Sequence, residues 1–467
     1  MFERLLGARW PWFAAAALVV GVYLATLVEI RPADPRPPGS FDDIERLSER
    51  NDLNVLFILI DTLRADRLGA WGYERDTSPT IDWLAASGVR FARQLSQSSW
   101  TKCSMASLWT GLYPERTGVL RFDHVLSAQA KLPAEILGEA GLRTVGLFRN
   151  GWVAGNFGFG QGFEVYHRPA PLPLEPGERR ENPSLNAPGS DTSAVEAVRT
   201  FLQVSAHERW FLYVHLMDVH QYTYDKESAL FGTGISDIYD NSIRREDALV
   251  ERLLGHVADA GVLDKTLIVL AADHGEAFGE RGFEGHARNV YGEVTEVPFV
   301  LAFPFRLEPG LVIDARTENV DIWPTVLELL GLPPLDGADG RSLVPLIRAA
   351  AQGQPLPPDG SPAFAQLDQS WGQNGRKPAP MVAVASDGFR YVLTTAGRGK
   401  EELFDRRSDP VETIDVLRDH ADVAERLRAA ARGYLEPPPA PWGAETPTVE
   451  LDEMEWNQLR ALGYAVP

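Results

Sequence analysis

Three apolar runs that each close on an acidic residue constrain this chain more than any other feature. LFILID ends at Asp61, FLYVHLMDVH carries Asp218 and His220, and TLIVLAADHGE carries Asp273 and His274. Short runs dominated by Val, Ile, Leu and Phe read as strands covered on both faces. The spacing predicts strands over 54–60, 210–214 and 267–271, with two more over 144–148 and 298–302. Amphipathic stretches over 193–203 and 241–260 lie between them and read as helices. Strands alternating with helices predict an α/β fold with a mostly parallel central sheet flanked by helices. In such sheets ligands bind beyond the carboxyl ends of the strands, so the three acidic clusters should meet at one rim.

Carboxylates gathered at a rim repel one another unless a cation neutralises them, which points to a divalent metal. The single cysteine, Cys103, excludes an intramolecular disulfide and a cysteine-rich zinc site, so Asp and His must supply the ligands. Those donors suit zinc first, then manganese, with calcium and magnesium as alternatives, one or two ions in all. Forty-five Lys and Arg against 65 Asp and Glu leave a net charge of −20, which argues against a nucleic-acid partner. With 44% hydrophobic residues, a large core is available.

Taken singly, an Asp after a strand is more often a helix N-cap or turn residue than a metal ligand. Asp273-His274 is stronger, because adjacent oxygen and nitrogen ligands ahead of a glycine suit a sharp metal-binding turn. His286 stands in the Gly-flanked GFEGHARN, whereas His124, His167, His207, His256 and His420 read as surface or packing residues. His215 alternates along its strand and reads as core. In SSWTKCSMASLWTGLYP, Ser98 or Ser99 could cap a helix with a body near 104–110. Thr101 would then sit where free N–H groups favour an anion, and a metal-bound hydroxyl there is a usable nucleophile. Lys102 would add positive charge for an oxyanion. The plain alternative is an ordinary Ser/Thr-rich helix start.

The ends of the chain suggest its location. Residues 10–28 are 19 uncharged positions that span about 28 Å as a helix. Arg4 and Arg9 precede them, so the reading is a cytoplasmic 1–9, an uncleaved transmembrane anchor at 10–28 and an exported, periplasmic or extracytoplasmic, remainder. Residues 29–51 read as a Pro-rich linker, 52–350 as a catalytic domain, 351–435 as a smaller C-terminal α+β subdomain and 436–467 as a Pro-rich tail with a short terminal helix. Within these, a helix is expected over 322–330, strands near 381–395 and a helix near 421–432.

From about residue 52 to 435 the chain resembles the sulfatase-like branch of the alkaline phosphatase superfamily, of a membrane-anchored type. The matching stretches are NVLFILIDTLRADRLGAWGY, TSPTIDWLAASGVRFA, TGLYPERTGV, AADHGEAFGERG, VPFVLAFP, NVDIWPTVLELLGLP, DGRSLVPLI and ELFDRRSDPVET. In the family the nucleophile stands nine residues before the Thr of a Thr-Gly pair, which here is Thr110-Gly111, so Thr101 takes that place. Cys103 then falls at the proline position of the Cys-x-Pro-x-Arg pattern and Met105 at the arginine position, which implies no formylglycine. A threonine nucleophile is that of the phosphodiesterases and phosphotransferases of the superfamily. The resemblance implies one metal site of Asp61, Thr101, Asp273 and His274 and a second of Asp218, His220 and His286. Asn150 resembles the asparagine that contacts a non-bridging oxygen, and Arg149 is a further anion contact. His286 stands where sulfatases place a lysine, and Thr62 where they place a second acidic ligand.

The resulting expectation is a metal-dependent hydrolase or transferase of phosphate or sulfate esters, with phosphoesters favoured and a lipid or glycan substrate near the membrane. The alternatives are a sulfuric ester hydrolase that works with unmodified Thr101, and a membrane-tethered binding protein without catalysis.

Overall fold

The computed structural model describes residues 34–171, 190–356, 361–370, 377–443 and 445–451, with 12–14, 16–20, 453, 456 and 457 besides. Its strands are β1 (Asn54–Ile60), β2 (Val89–Leu95), β3 (Arg143–Leu147), β4 (Val165–His167), β5 (Trp210–Leu216), β6 (Thr266–Ala271), β7 (Ala277–Phe278), β8 (Glu284–Gly285), β9 (Glu296–Ala302), β10 (Leu311–Glu318), β11 (Ala363–Asp368), β12 (Pro380–Ser386), β13 (Phe389–Thr394) and β14 (Lys400–Asp405). The main helices are α1 (Pro79–Ala86), α2 (Thr101–Thr110), α3 (Pro133–Glu139), α4 (Thr192–Ser205), α5 (Ile235–Asp259), α6 (Ile322–Leu329), α7 (Val344–Ala351) and α8 (Ala421–Tyr434).

An eight-stranded sheet runs in the order β10-β2-β9-β6-β1-β5-β3-β4. β1 lies deep in it, parallel to β5 and β6, and all of its residues are buried. That is why its sequence is one apolar run rather than an alternation. Val55, Phe57 and Leu59 face one core with Trp109 of α2 and Trp323 of α6, whose rings stack 5.3 Å apart. Leu56, Ile58 and Ile60 face a second core with the apolar stripes of α1, α4 and α5. Each such side chain contributes roughly 1.5–3 kcal/mol, so the strand is held from both sides.

All five expected strands are present, displaced by no more than a residue or two at most ends. β9 runs antiparallel to both β6 and β2, the chain returning from β6 through the β7–β8 hairpin and the single turn at 292–295 instead of a long crossover helix. A four-stranded antiparallel sheet, β11-β12-β13-β14, follows, and α8 packs Leu427 and Ala431 on it.

Arg36–Pro467 forms one unit and Met1–Pro35 a separate one. The expected spacer is docked over its second half. Arg36 is buried, its guanidinium donating to Ser87 Oγ at 2.7 Å and to the Phe303 carbonyl at 3.2 Å. The Pro-rich tail is tied down as well: Val125 N–H donates to the Pro447 carbonyl at 2.8 Å and Val449 N–H to the Asp123 carbonyl at 2.9 Å. Residues 12–14 and 16–20 are helical. Among the described residues no helix is long and apolar enough to cross a membrane, and the rest of the expected anchor at 10–28 lies outside them.

Candidate active site

Asp61 follows β1, His215 closes β5, Asp273 and His274 follow β6, and Asn150 follows β3, so the rim of the parallel strands gathers them. Thr101 is the first residue of α2, whose ten residues are all buried. Trp100 holds the N-cap position, in place of the expected Ser98 or Ser99. Ser99 Oγ instead donates to the Asn289 carbonyl at 2.5 Å, tying the segment that leads into Thr101 to the loop that carries His286. Gly111 ends the helix at φ 67°, a left-handed cap that a side chain would strain.

Thr101 Oγ lies 3.1 Å from His274 Nε2 and accepts from Asn150 Nδ2 at 3.2 Å. The same Asn150 amide donates to Asp61 Oδ2 at 2.7 Å, while its own carbonyl oxygen caps the following turn by accepting from Trp152 N–H at 2.9 Å. His274 Nδ1 sits 3.0 Å from the Gly275 carbonyl, which can only accept, so the proton is on Nδ1 and the Nε2 lone pair faces the site. Thr101 therefore donates to that lone pair.

Asp61 and Asp273 are arranged alike. Asp273 Oδ1 accepts the backbone N–H groups of His274 at 2.9 Å and Thr62 at 3.3 Å. Thr62 reaches it with φ 61°, a left-handed conformation that costs a β-branched residue about 1–3 kcal/mol. Asp61 Oδ1 and Asp273 Oδ2 are buried without a hydrogen bond. His274 Nε2 lies 3.8 Å from the first and 3.5 Å from the second. Two bare carboxylate oxygens and a hydroxyl, each within 3.8 Å of the His274 Nε2 lone pair, are donors that suit a divalent cation, and atoms of Asp61, Asp273 and His215 also lie within 4.8 Å of one another, so Asp61, Asp273, His274 and Thr101 fit one.

The electrostatics agree. Burial alone would raise the Asp61 carboxyl, but the imidazoles of His220, His215 and His274 hold it below its ordinary value. Burial and the Asp61 charge push Asp273 up. Burial lowers His220 and His274, and takes His286 down to about 4. The His286 ring sits 4.6 Å from that of His274 and 4.9 Å from that of His220, so the two expected second-site histidines stand together beside His274. His286 Nδ1 faces the Glu276 carboxylate at 3.2 Å, and burial raises Glu276 to about 7.

Three expected residues have other partners. Asp218 is engaged by other groups: its Oδ1 accepts from Arg149 at 2.6 Å, and its Oδ2 accepts from Arg245 and, at 3.0 Å, from Asp191 N–H. Arg149 is held by Asp218, by Asp191 at 2.9 Å and by Gln221 at 3.1 Å. Oxygens of Asp191, Asp218 and Glu246 lie within 4.8 Å of one another, and the two guanidiniums offset their charge. Lys102 turns away from Thr101, donating to the Phe122 carbonyl at 2.7 Å with its ammonium 3.6 Å from the Phe157 ring centre. Burial pulls that amine well below the ordinary lysine value.

His215 corrects the core reading: it is fully buried, but its Nε2 is 3.0 Å from Asp61 Oδ2. Glu276 was likewise missed, although it follows Asp273-His274 directly in the motif. Cys103 is buried inside α2, and burial pushes its thiol up to about 12.

Residues 53–332 match the Sulfatase family model, and residues 279–432 match that of the N-sulphoglucosamine sulphohydrolase C-terminal region. The chain is 25% identical over 413 residues to an ulvan-active sulfatase of Formosa agariphila, covering 80% of this chain and 79% of that one. It is 22% identical over 426 residues to arylsulfatase K of Xenopus laevis, covering 77% and 78%. The phosphonate monoester hydrolase of Agrobacterium radiobacter shares its fold with a TM-score of 0.65 at 21% identity, covering 82% of this chain and 95% of that one. A family match across more than half of the residues, on a sheet whose strand ends assemble Asp61, Thr101, Asp273 and His274, places this chain in the sulfatase family, among the ester hydrolases of the alkaline phosphatase superfamily.

Proposed function

We propose that this chain is a divalent-metal-dependent hydrolase of phosphate, phosphonate or sulfate esters in which unmodified Thr101 is the nucleophile, with phosphoesters as the preferred class. The observation that carries the reading is the setting of one oxygen. Both Thr101 and Cys103 are buried, but Thr101 Oγ stands at the head of α2 within 3.1 Å of His274 Nε2 and 3.2 Å of Asn150 Nδ2, whereas Cys103 packs in the hydrophobic core. Burial pushes the Cys103 thiol up to about 12, so it is not a thiolate nucleophile.

Asp61, Asp273 and His274 would hold the metal, zinc by their chemistry or manganese. Bound there, a divalent ion lowers the pKa of the hydroxyl and offsets charge on the group in transfer. The chain's own residues do the rest. Asn150 fixes Thr101 Oγ, which attacks phosphorus or sulfur in line as the bond to the leaving oxygen breaks, giving a covalent phosphoryl- or sulfuryl-threonine and a free alcohol. The proton lost by the threonine is balanced by the one the departing oxygen takes up. Water then cleaves that ester and returns the hydroxyl. N–H groups of the first turn of α2 point toward the non-bridging oxygens. His220 and His286 flank the space for the leaving group.

A second reading, hydrolysis of sulfate esters by the same threonine, is supported by the sulfatase names of the relatives, one of them active on the glycan ulvan. We propose a lipid or glycan ester as substrate and anchoring through 10–28, supported by the uncharged run and the preceding Arg4 and Arg9. Turnover of phosphodiesters, phosphomonoesters, phosphonate monoesters and sulfate esters with defined metals tests the assignment. High-resolution mass spectrometry of a trapped intermediate separates phospho- from sulfo-threonine. Full activity in Thr101→Ala would refute the nucleophile.

A further inference from the structure

We infer that Tyr213 and His215 are positioning residues that preset Asp61 for its cation, with His215 donating to Asp61 and not itself ligating the ion. The inference rests on the reading above, in which Asp61 holds a metal.

Tyr213 and His215 are two positions apart on β5 and therefore project from the same face of the sheet. Both are fully buried. His215 stands opposite Leu59 in the parallel register, and Asp61 N–H donates to the Leu216 carbonyl at 3.0 Å, so β5 delivers the imidazole to the end of β1. Tyr213 Oη lies 2.8 Å from His215 Nδ1, and His215 Nε2 lies 3.0 Å from Asp61 Oδ2.

The polarity of this chain of bonds is fixed from its far end. An ionised Asp61 can only accept, so Nε2 carries the hydrogen and Nδ1 the lone pair, to which Tyr213 donates. Both ring nitrogens are then occupied, and His215 has no lone pair to offer an ion. Asp61 Oδ2 accepts from His215 and, at 2.7 Å, from Asn150, while Oδ1 accepts from nothing and faces His274. The relay ties one oxygen and thereby aims the other. Asp273 repeats the device with backbone donors, its Oδ1 tied by Thr62 and His274 and its Oδ2 bare. A carboxylate fixed in this way loses less freedom when it binds, and such outer partners govern metal affinity by about 10–100-fold.

The test is Zn2+ affinity of the full chain, measured by competition with a chromogenic chelator, with folding checked by circular dichroism. His215→Gln keeps an N–H donor near the place of Nε2 and is expected to bind Zn2+ close to wild type. His215→Leu removes the donor and is expected to lose about 10–100-fold. Tyr213→Phe, which frees the imidazole to turn or change tautomer, is expected to fall between them. Equal losses in His215→Gln and His215→Leu would make His215 a ligand and overturn the inference. So would wild-type affinity in His215→Leu, or in Tyr213→Phe if the leucine variant does not fold. If the wild-type chain binds neither Zn2+ nor Mn2+, the underlying reading of the site fails first.

Discussion

Arg149 Nη1 lies 2.6 Å from Asp218 Oδ1, and both groups are buried. This pair, extended by Arg245 and Asp191, occupies the carboxylate that the sequence suggests for a second metal site. The first prediction follows. Asp218→Ala leaves two guanidiniums buried without their shared carboxylate and should destabilise the fold by about 3–5 kcal/mol. Bound metal per chain should stay unchanged in whatever fraction folds. Chemical denaturation and elemental analysis together check this, and a loss of one metal ion would restore Asp218 to the ligand set.

Thr101→Ala should lower kcat/KM by at least about a thousandfold, since it removes the attacking oxygen while His274 and Asn150 stay in place. Thr101→Ser keeps the hydroxyl and should retain a measurable fraction of activity. A covalent adduct on residue 101 should be detectable in the serine variant and absent in the alanine one.

Cys103→Ala should leave kcat within about twofold of wild type and cost about 1 kcal/mol of stability, the ordinary effect of trimming a buried side chain. Intact mass of the wild-type chain should match an unmodified cysteine. An aldehyde at residue 103 would move the nucleophile there.

Removal of divalent ions by a strong chelator should abolish turnover, and Zn2+ or Mn2+ should restore it. An ion at 100 times its Kd should also stabilise the fold by about 2.7 kcal/mol, readable as a rise in Tm. Activity that survives exhaustive chelation would rule out the metal-dependent route.

The pH dependence has a separate handle in Asp247, which lies outside the site and accepts Thr80 N–H at 2.9 Å and Ile81 N–H at 2.9 Å at the start of α1. Burial raises its carboxyl to about 7. A raised carboxyl binds protons more tightly folded than unfolded, so its contribution is complete below about pH 4 and is lost as pH rises through about 7. Wild type should lose stability relative to Asp247→Asn over that window. A flat difference between the two would show that the carboxyl is not raised.

What the sequence revealed follows from how each element earns its pattern. β1, β5 and β6 are buried on both faces, so they appear as unbroken apolar runs, and their terminal acids Asp61 and Asp273 could be placed at a shared rim without any structure. β2 and β10 carry arginines within them and were not anticipated. Thr101, Asn150 and His274 do meet as the family resemblance implied. Lys102 and Asp218 show the limit: each stands next to the site in sequence, but its direction is set by Phe122 and Phe157 in one case and by Arg149 and Arg245 in the other. His215 was hidden for the opposite reason. An imidazole inside an apolar strand looks like packing until its partner on β1 is known.

The strap formed by the last described residues reaches further than its position suggests. It crosses 122–125, Trp456 sits 5.1 Å from the Phe122 ring, and the Phe122 carbonyl holds the amine of Lys102, the immediate neighbour of Thr101. Residues 447–449 and Trp456 are thus tied through Phe122 and Lys102 to the head of the helix that carries Thr101. Removal of the residues from Thr446 onward should be felt as slackened geometry at the Thr101 hydroxyl and not merely as a change at a dispensable edge.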